Sequence, residues 1–257
     1  MSLDQDDFGH RMKSYESAST IRKASGDLPV IARLDGRSFS TFCQNLNKPY
    51  DERLSNIMDN TLIALVKEFH VQLGYTQSDE ITLYWYMPEK YSQLPFGGRF
   101  QKVESVLAGY ASAVFNREVA QQLPEKAKHI ACFDCRAWEV PSVIEAANTF
   151  LWRQQDAKKN AISMAAQRLF SPKQLMNKNG KDKIQMMADK GTVFEDYPTR
   201  FKHGVYAMRQ TYIQHLSPEE LERIKPQHRP TEPVTRSKVQ LFDMEITASY
   251  FLSKEEQ

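Results

Sequence analysis

Apolar residues along the chain fall into two rhythms. Between Asp51 and Phe69 they recur at Leu54, Ile57, Met58, Leu62, Leu65, Val66 and Phe69, which is helical spacing. From Lys102 to Gln122, residues Val103, Val106, Leu107, Tyr110 and Val114 predict a second helix. Pro29 to Asp35 is a short, mostly apolar run and reads as a strand. Val71 to Tyr75 is a shorter apolar segment. Glu80 to Tyr86, rich in Ile, Thr, Tyr and Trp, reads as a strand, and so does His129 to Arg136. Pro88 to Gly98, with two prolines and a Gly-Gly pair, reads as a loop. Tyr84, Trp85 and Tyr86 are expected to pack in the core rather than stack on bases.

The resulting order is strand, helix, strand, strand, helix, strand. This is the split βαβ, ferredoxin-like βαββαβ arrangement of an α+β fold, in which the first and third strands lie side by side and antiparallel. The polar first 28 residues hold one helix, around Phe8 to Ser17. Beyond the core, a long helix is expected from Val143 to Leu169. A short helix follows, opened by Ser171-Pro172 and ended near Asn179-Gly180, then another running to Gly191. Ser217-Pro218 opens one more, and Gln227 to Val234, with two prolines, reads as extended. The division is a palm-like core over residues 1–140 and a helical C-terminal region over 141–257 packed on it.

Composition narrows the function classes. The 34 Lys and Arg nearly balance 32 Asp and Glu, a net charge of +2, which excludes a histone-like basic coat while leaving room for a local basic groove. No apolar run approaches the ~20 residues that span a bilayer. The acidic, polar start resembles neither a secretory nor a mitochondrial signal. Three cysteines are too few and too odd in number for a disulfide framework, which points to a reducing, cytoplasmic setting. Cys132 and Cys135 form a lone CxxC without a second pair, so they read as structural thiols rather than a zinc site.

The chemistry-bearing residues are acidic. Asp35 closes the first strand and is followed by Gly36 and Arg37; Asp79 and Glu80 open the third. If those strands are antiparallel neighbours, Asp35 and Asp79 meet at one edge of the sheet. Two close carboxylates repel unless a cation joins them. Mg²⁺ suits such a place, held by one or two carboxylates plus substrate phosphates. The alternative is a pair of strand-end acids salt-bridged to Arg33 or Arg37. The Arg37-Ser38-Phe39-Ser40 turn offers backbone N–H groups and hydroxyls to a triphosphate.

Arg33 to Phe39 and Gln77 to Glu80 resemble the two signature blocks of the tRNA-His guanylyltransferase family, including its guanylyltransferase-like bacterial and archaeal branch. Supporting blocks are Phe8 to Lys13, Lys48-Pro49, Phe133-Asp134 with Arg136, and Trp152-Arg153-Gln154. The resemblance implies a polymerase-like palm that adds nucleotides in the 3′-to-5′ direction. A 5′-monophosphate on tRNA is activated by ATP or GTP, and the 3′-hydroxyl of an incoming nucleotide then attacks it. By the matching motifs, Asp35 and Asp79 are metal-binding carboxylates for two Mg²⁺ ions, Gly36 a carbonyl ligand, and Glu80 an assisting catalytic acid. Nucleotide binding falls to Asp35, Gly36, Arg37, Ser38, Phe39, Ser40, Lys48, Ser78 and Asp79, with Lys102 and Ser105 as phosphate contacts. Family members resemble dimers of dimers, which implies a homotetramer.

One block departs from the family. Where eukaryotic members carry His-x-Asn-Asn, linked to selecting the histidine tRNA, this chain reads Lys158-Lys159-Asn160-Ala161. Lys158, Lys159 and Asn160 remain as tRNA-binding residues, and template-directed repair of 5′-truncated tRNA fits better than strict selection. The five lysines between Lys173 and Lys190 suit either RNA phosphates or a solvated helical hairpin. Competing readings are a palm-type nucleotide cyclase, and an RNA-binding protein without catalysis. The second is disfavoured because both carboxylates are retained.

Overall fold

The computed structural model describes residues 5–18, 22–86 and 94–243. Six strands form one antiparallel sheet in the order β4-β1-β3-β2-β5-β6. They are β1 (Val30–Gly36), β2 (Leu73–Gln77), β3 (Glu80–Trp85), β4 (Phe133–Glu139), β5 (Val205–Gln214) and β6 (Val234–Phe242). The helices are α1 (Gln5–Ala18), α2 (Phe39–Phe42), α3 (Glu52–Glu68), α4 (Phe100–Gln122), α5 (Val143–Leu169), α6 (Pro172–Leu175), α7 (Gly180–Asp189), α8 (Thr199–His203) and α9 (Pro218–Glu222). The expected βαββαβ core is present, with β1 paired to β3.

Strand alternation sorts side chains to two faces. Leu34, Ile81, Leu83, Trp85 and Phe133 meet Ile57, Leu62, Leu65, Leu107 and Phe115 of α3 and α4 in the larger core. On the other face Ile31, Tyr75, Tyr84 and Tyr206 gather around Phe150 of α5. Trp85 is fully buried and donates its indole N–H to the Phe69 carbonyl, while Tyr84 packs on Phe150, so the aromatic run of β3 is core. A third cluster joins Ala161, Ile162 and Ala165 of α5 to Met187 and Phe194.

Three expectations need correction. The last strand of the core begins at Phe133, not His129: Ile130 is 80% exposed, and the Asn116 side chain takes both backbone groups of Ala131 before pairing starts. Asn179-Gly180 starts α7 rather than ending the helix before it, because Asn179 and Asp182 form a reciprocal capping box. The region after residue 141 is not wholly helical, since β5 adds to β2 and β6 to β5, extending the sheet. Of the expected Pro88–Gly98 loop, Pro95–Gly98 is a tight turn whose Phe96 and Gly97 hold left-handed backbone at φ 55 and 62, and residues 87–93 lie outside the described ones.

Candidate active site

The acidic residues meet because of strand register. Asp35 stands opposite Glu80 on β3 and Asp134 on β4, and Glu80 stands opposite Gln77 on β2. One row across four strands therefore carries Asp134, Asp35, Glu80 and Gln77 on the face covered by α5. The next row along that face carries Arg136, Arg33, Thr82 and Tyr75. The Gly36 N–H donates to the Asp79 carbonyl at 3.1 Å, tying the end of β1 to the β2–β3 turn. Asp35 and Asp79 are thus brought to one edge, as the pattern required.

Asp79 accepts a 3.0 Å hydrogen bond from Ser78 Oγ. Burial pushes its carboxyl above the usual carboxylate range, and the charge of Asp35 raises it further. Among the described residues neither Asp35 nor Asp79 forms an ion pair, so the salt-bridge alternative with Arg33 or Arg37 is not what the structure shows. Ser78 and Ser38, which flank the two acidic segments, both hold left-handed backbone at φ 50 and 56. At Gly36 a Cβ would run into the Phe39 ring, which packs back toward Phe115 and Phe133. The Gly36 and Arg37 N–H groups are used by Asp79 and Cys132 carbonyls, whereas those of Ser38, Phe39 and Ser40 find no acceptor among the described residues. A run of free N–H groups beside a carboxylate pair is an anion-receptive turn.

Glu80 is held differently. Its carboxylate accepts from Arg153 Nε of α5 at 2.7 Å, with both side chains almost fully buried. Arg153 also donates to Asp156 at 2.9 Å. Burial raises the Glu80 carboxyl, and the Arg153 bond opposes that shift. Glu80 thus lies in the acidic row while its charge is committed to a guanidinium. Arg153 stood out in the sequence only as part of the Trp152-Arg153-Gln154 block, with no role given to it, although a signal was there: it sits in the buried stripe of α5 between Phe150 and Ala157, where an arginine needs a buried acid.

A cavity of about 220 Å³ opens beside this edge. Its lining brings together Lys48, Gln77, Ser78, Asn160, Arg168 and Arg200. Arg200 ties α8 to α3 by a 2.9 Å bond to Asp59. Asp51 on the same wall caps α3 and is fully engaged by Arg53 and the Asn47 N–H. Lys158 and Lys159 are exposed on α5 next to Asn160. Lys102 and Ser105 are not brought to the acidic edge: they lie in the first turns of α4, where Glu104 binds the Ala137 amide in mid-strand. That is 13 residues, or ~20 Å of helix, before Phe115, which packs on Phe39. The cysteines are free; Cys132 is exposed, and burial pushes the Cys135 thiol upward. No helix among the described residues is long and apolar enough to cross a membrane.

The tRNAHis guanylyltransferase family model matches residues 9–141. An uncharacterised protein of Acanthamoeba polyphaga mimivirus is 31% identical over 227 residues, covering 79% of this chain and 77% of its own. A probable tRNA(His) guanylyltransferase of Drosophila melanogaster is 25% identical, covering 84% of this chain and 78% of its own. Among solved structures, a bacterial tRNA(HIS) guanylyltransferase-like protein in complex with ATP superimposes with a TM-score of 0.77 at 32% identity, covering 97% of this chain and 95% of that one. The tRNA(His) guanylyltransferase of Saccharomyces cerevisiae, at 21% identity and a TM-score of 0.64, shares the fold over 72% of this chain and 87% of its own. With its signature acids side by side on a palm-like sheet and the family match spanning that core, the chain belongs to the tRNAHis guanylyltransferase family and is a 3′-to-5′ nucleotidyltransferase of that type.

Proposed function

We propose that the protein adds nucleotides to the 5′ end of truncated tRNAs, using Asp35 and Asp79 to hold Mg²⁺ at the junction of β1 with the β2–β3 turn. The observation that carries this reading is the pair itself: two carboxylates tied together through the Gly36–Asp79 backbone bond, neither with an ion-pair partner among the described residues, one of them destabilised as an anion by burial and by the other. That donor set fits a hard cation. Among the described residues no group of three or more His, Cys, Asp or Glu is arranged to hold a metal. The protein's share is therefore Asp35, Asp79 and the Gly36 carbonyl, leaving room for phosphate oxygens and water. When bound, Mg²⁺ neutralises charge on the transferring phosphorus and orients the attacking oxygen.

The chain's own residues do the rest. The free N–H groups of Ser38, Phe39 and Ser40 face a triphosphate, with Arg37 supplying positive charge. Lys48, Ser78 and Asn160 line the adjoining cavity, which takes the nucleotide. Glu80, neutralised by Arg153, keeps a third free negative charge away from the pair and acts as a positioning residue beside it. Lys158 and Lys159 contact RNA phosphates from α5, which fixes register without reading bases. ATP or GTP activates the 5′-monophosphate, and base pairing with the opposite strand selects the incoming nucleotide. A tetramer, as a dimer of dimers, is the expected assembly.

The test is incubation of 5′-monophosphorylated tRNAs lacking their first nucleotide with Mg²⁺ and each NTP, resolving products by length and base. Several tRNAs should be repaired at comparable rates, each with the complementary nucleotide. A preference above about a hundredfold for histidine tRNA, ~2.7 kcal/mol, would replace repair by selective guanylylation. Products from GTP alone without RNA extension would indicate a cyclase.

A further inference from the structure

We propose that Trp152 is a stacking platform for the terminal base pair of the RNA whose 5′ end is extended. The inference rests on the reading above that an RNA 5′ end is the acceptor.

Trp152 is 53% exposed on α5, although an indole left in water forfeits a large burial energy. It is also fixed in place. The Arg153 guanidinium lies 4.3 Å from the ring centroid and that of Arg33 5.7 Å. Arg153 is itself pinned by Glu80 and Asp156, so the ring rests on a rigid, charged support. An aromatic held this way loses little freedom when a base settles on it.

Its position favours RNA over a free nucleotide. Arg33 precedes Asp35 by two residues on β1, about 7 Å along the strand and on the same face. Asn160, eight residues further along α5 and about 12 Å away, lines the cavity with Gln77 and Ser78 on the other flank of the acidic row. The transfer needs two reactants at the carboxylates, and the cavity is assigned to the nucleotide. The other, the end of an RNA duplex, presents a flat unstacked base pair and a polyanionic backbone. On the Trp152 side stand Arg33 and the exposed Arg136, in register on neighbouring strands. Aromatic and cationic groups together are what a nucleic-acid end requires.

The test uses the whole protein and an acceptor-stem hairpin carrying a 5′-monophosphate, with either a normal or an abasic 5′-terminal nucleotide. Hairpin Kd, KM for RNA and ATP affinity are measured for wild type, Trp152→Leu and Trp152→Phe. Stacking on one aromatic corresponds to roughly a 5- to 150-fold change in affinity. The abasic end should weaken wild type by a factor in that range, and Trp152→Leu should weaken the normal hairpin similarly. The two together should lose no more than either alone, because both remove the same contact. Trp152→Phe should stay close to wild type, and ATP affinity should stay within twofold throughout. Multiplicative losses, an unchanged KM in Trp152→Leu, or an equal fall in ATP affinity would overturn the platform. Extension that proceeds with multiplicative losses would leave the proposed function standing. The predicted binding pattern without extension by wild type would do the reverse.

Discussion

Replacing Arg153 with alanine removes the guanidinium that holds Glu80 in the acidic row. The Arg153–Glu80 pair is 2.7 Å long, and its side chains are 8% and 7% exposed, so water cannot stand in for the lost guanidinium. Removing one partner of such a pair costs about 3–5 kcal/mol, mostly because the other charge is left buried and alone. At ~2–4 °C per kcal/mol for a chain of this size, the melting temperature should fall by about 6–20 °C. The deficit should depend on pH. Burial already raises the Glu80 carboxyl, and without Arg153 nothing opposes that shift. A carboxyl raised in the folded state contributes most favourably below its unfolded value, and loses that contribution as pH rises through the folded one. The gap between variant and wild type should therefore be small below about pH 4.5 and widen above it. The double variant Arg153→Met with Glu80→Leu removes both charges and should recover most of the stability. Thermal denaturation across pH 4–8 measures all of this. An Arg153→Ala protein within about 1 kcal/mol of wild type at pH 7 would refute the buried-pair argument.

Asp79→Asn keeps the acceptor oxygen for Ser78 while removing a buried charge next to Asp35, so the metal-free variant should melt higher than wild type at pH 7. That advantage should vanish as pH falls toward 4, where the raised wild-type carboxyl is protonated, and Mg²⁺ with ATP should stabilise wild type but not the variant, as read by thermal shift. Lys158→Ala with Lys159→Ala should weaken RNA binding equally across tRNA sequences and reduce the slope of log affinity against log salt by about 2, with the incorporated base unchanged.

What the sequence revealed and what it hid follow from the range of the interactions. Helical periodicity located α3 and α4, and the expected Val143–Leu169 helix is α5; Asp51 caps α3 and Ser142 caps α5 at their starts. The β1–β3 pairing followed from the order of elements, and with it the meeting of Asp35 and Asp79. β5 and β6 were missed because Arg209 to Ile213 and Thr235 to Lys238 are exposed and lack an apolar alternation. Their stability comes from pairing with each other over nine positions across an intervening excursion that holds α9, which no local pattern records. The Arg153–Glu80 pair spans 73 residues of sequence and needed the fold to be seen. Lys102 and Ser105 had a phosphate-binding look as helix-opening residues, but α4 packs its later turns, not its first, against the Asp35 edge.

The account stands or falls on Asp35 and Asp79 acting as a pair in nucleotide transfer. The direct measurement is single-turnover addition of the complementary nucleotide to a 5′-activated, truncated tRNA by wild type, Asp35→Ala and Asp79→Ala, each shown by thermal unfolding to be folded. Both variants are expected to lose about a thousandfold or more in rate, since each removes half of the protein's carboxylate ligands from the transferring phosphate. A folded variant of either residue that adds nucleotides within about tenfold of wild type, ~1.4 kcal/mol in the barrier, would contradict the two-carboxylate site.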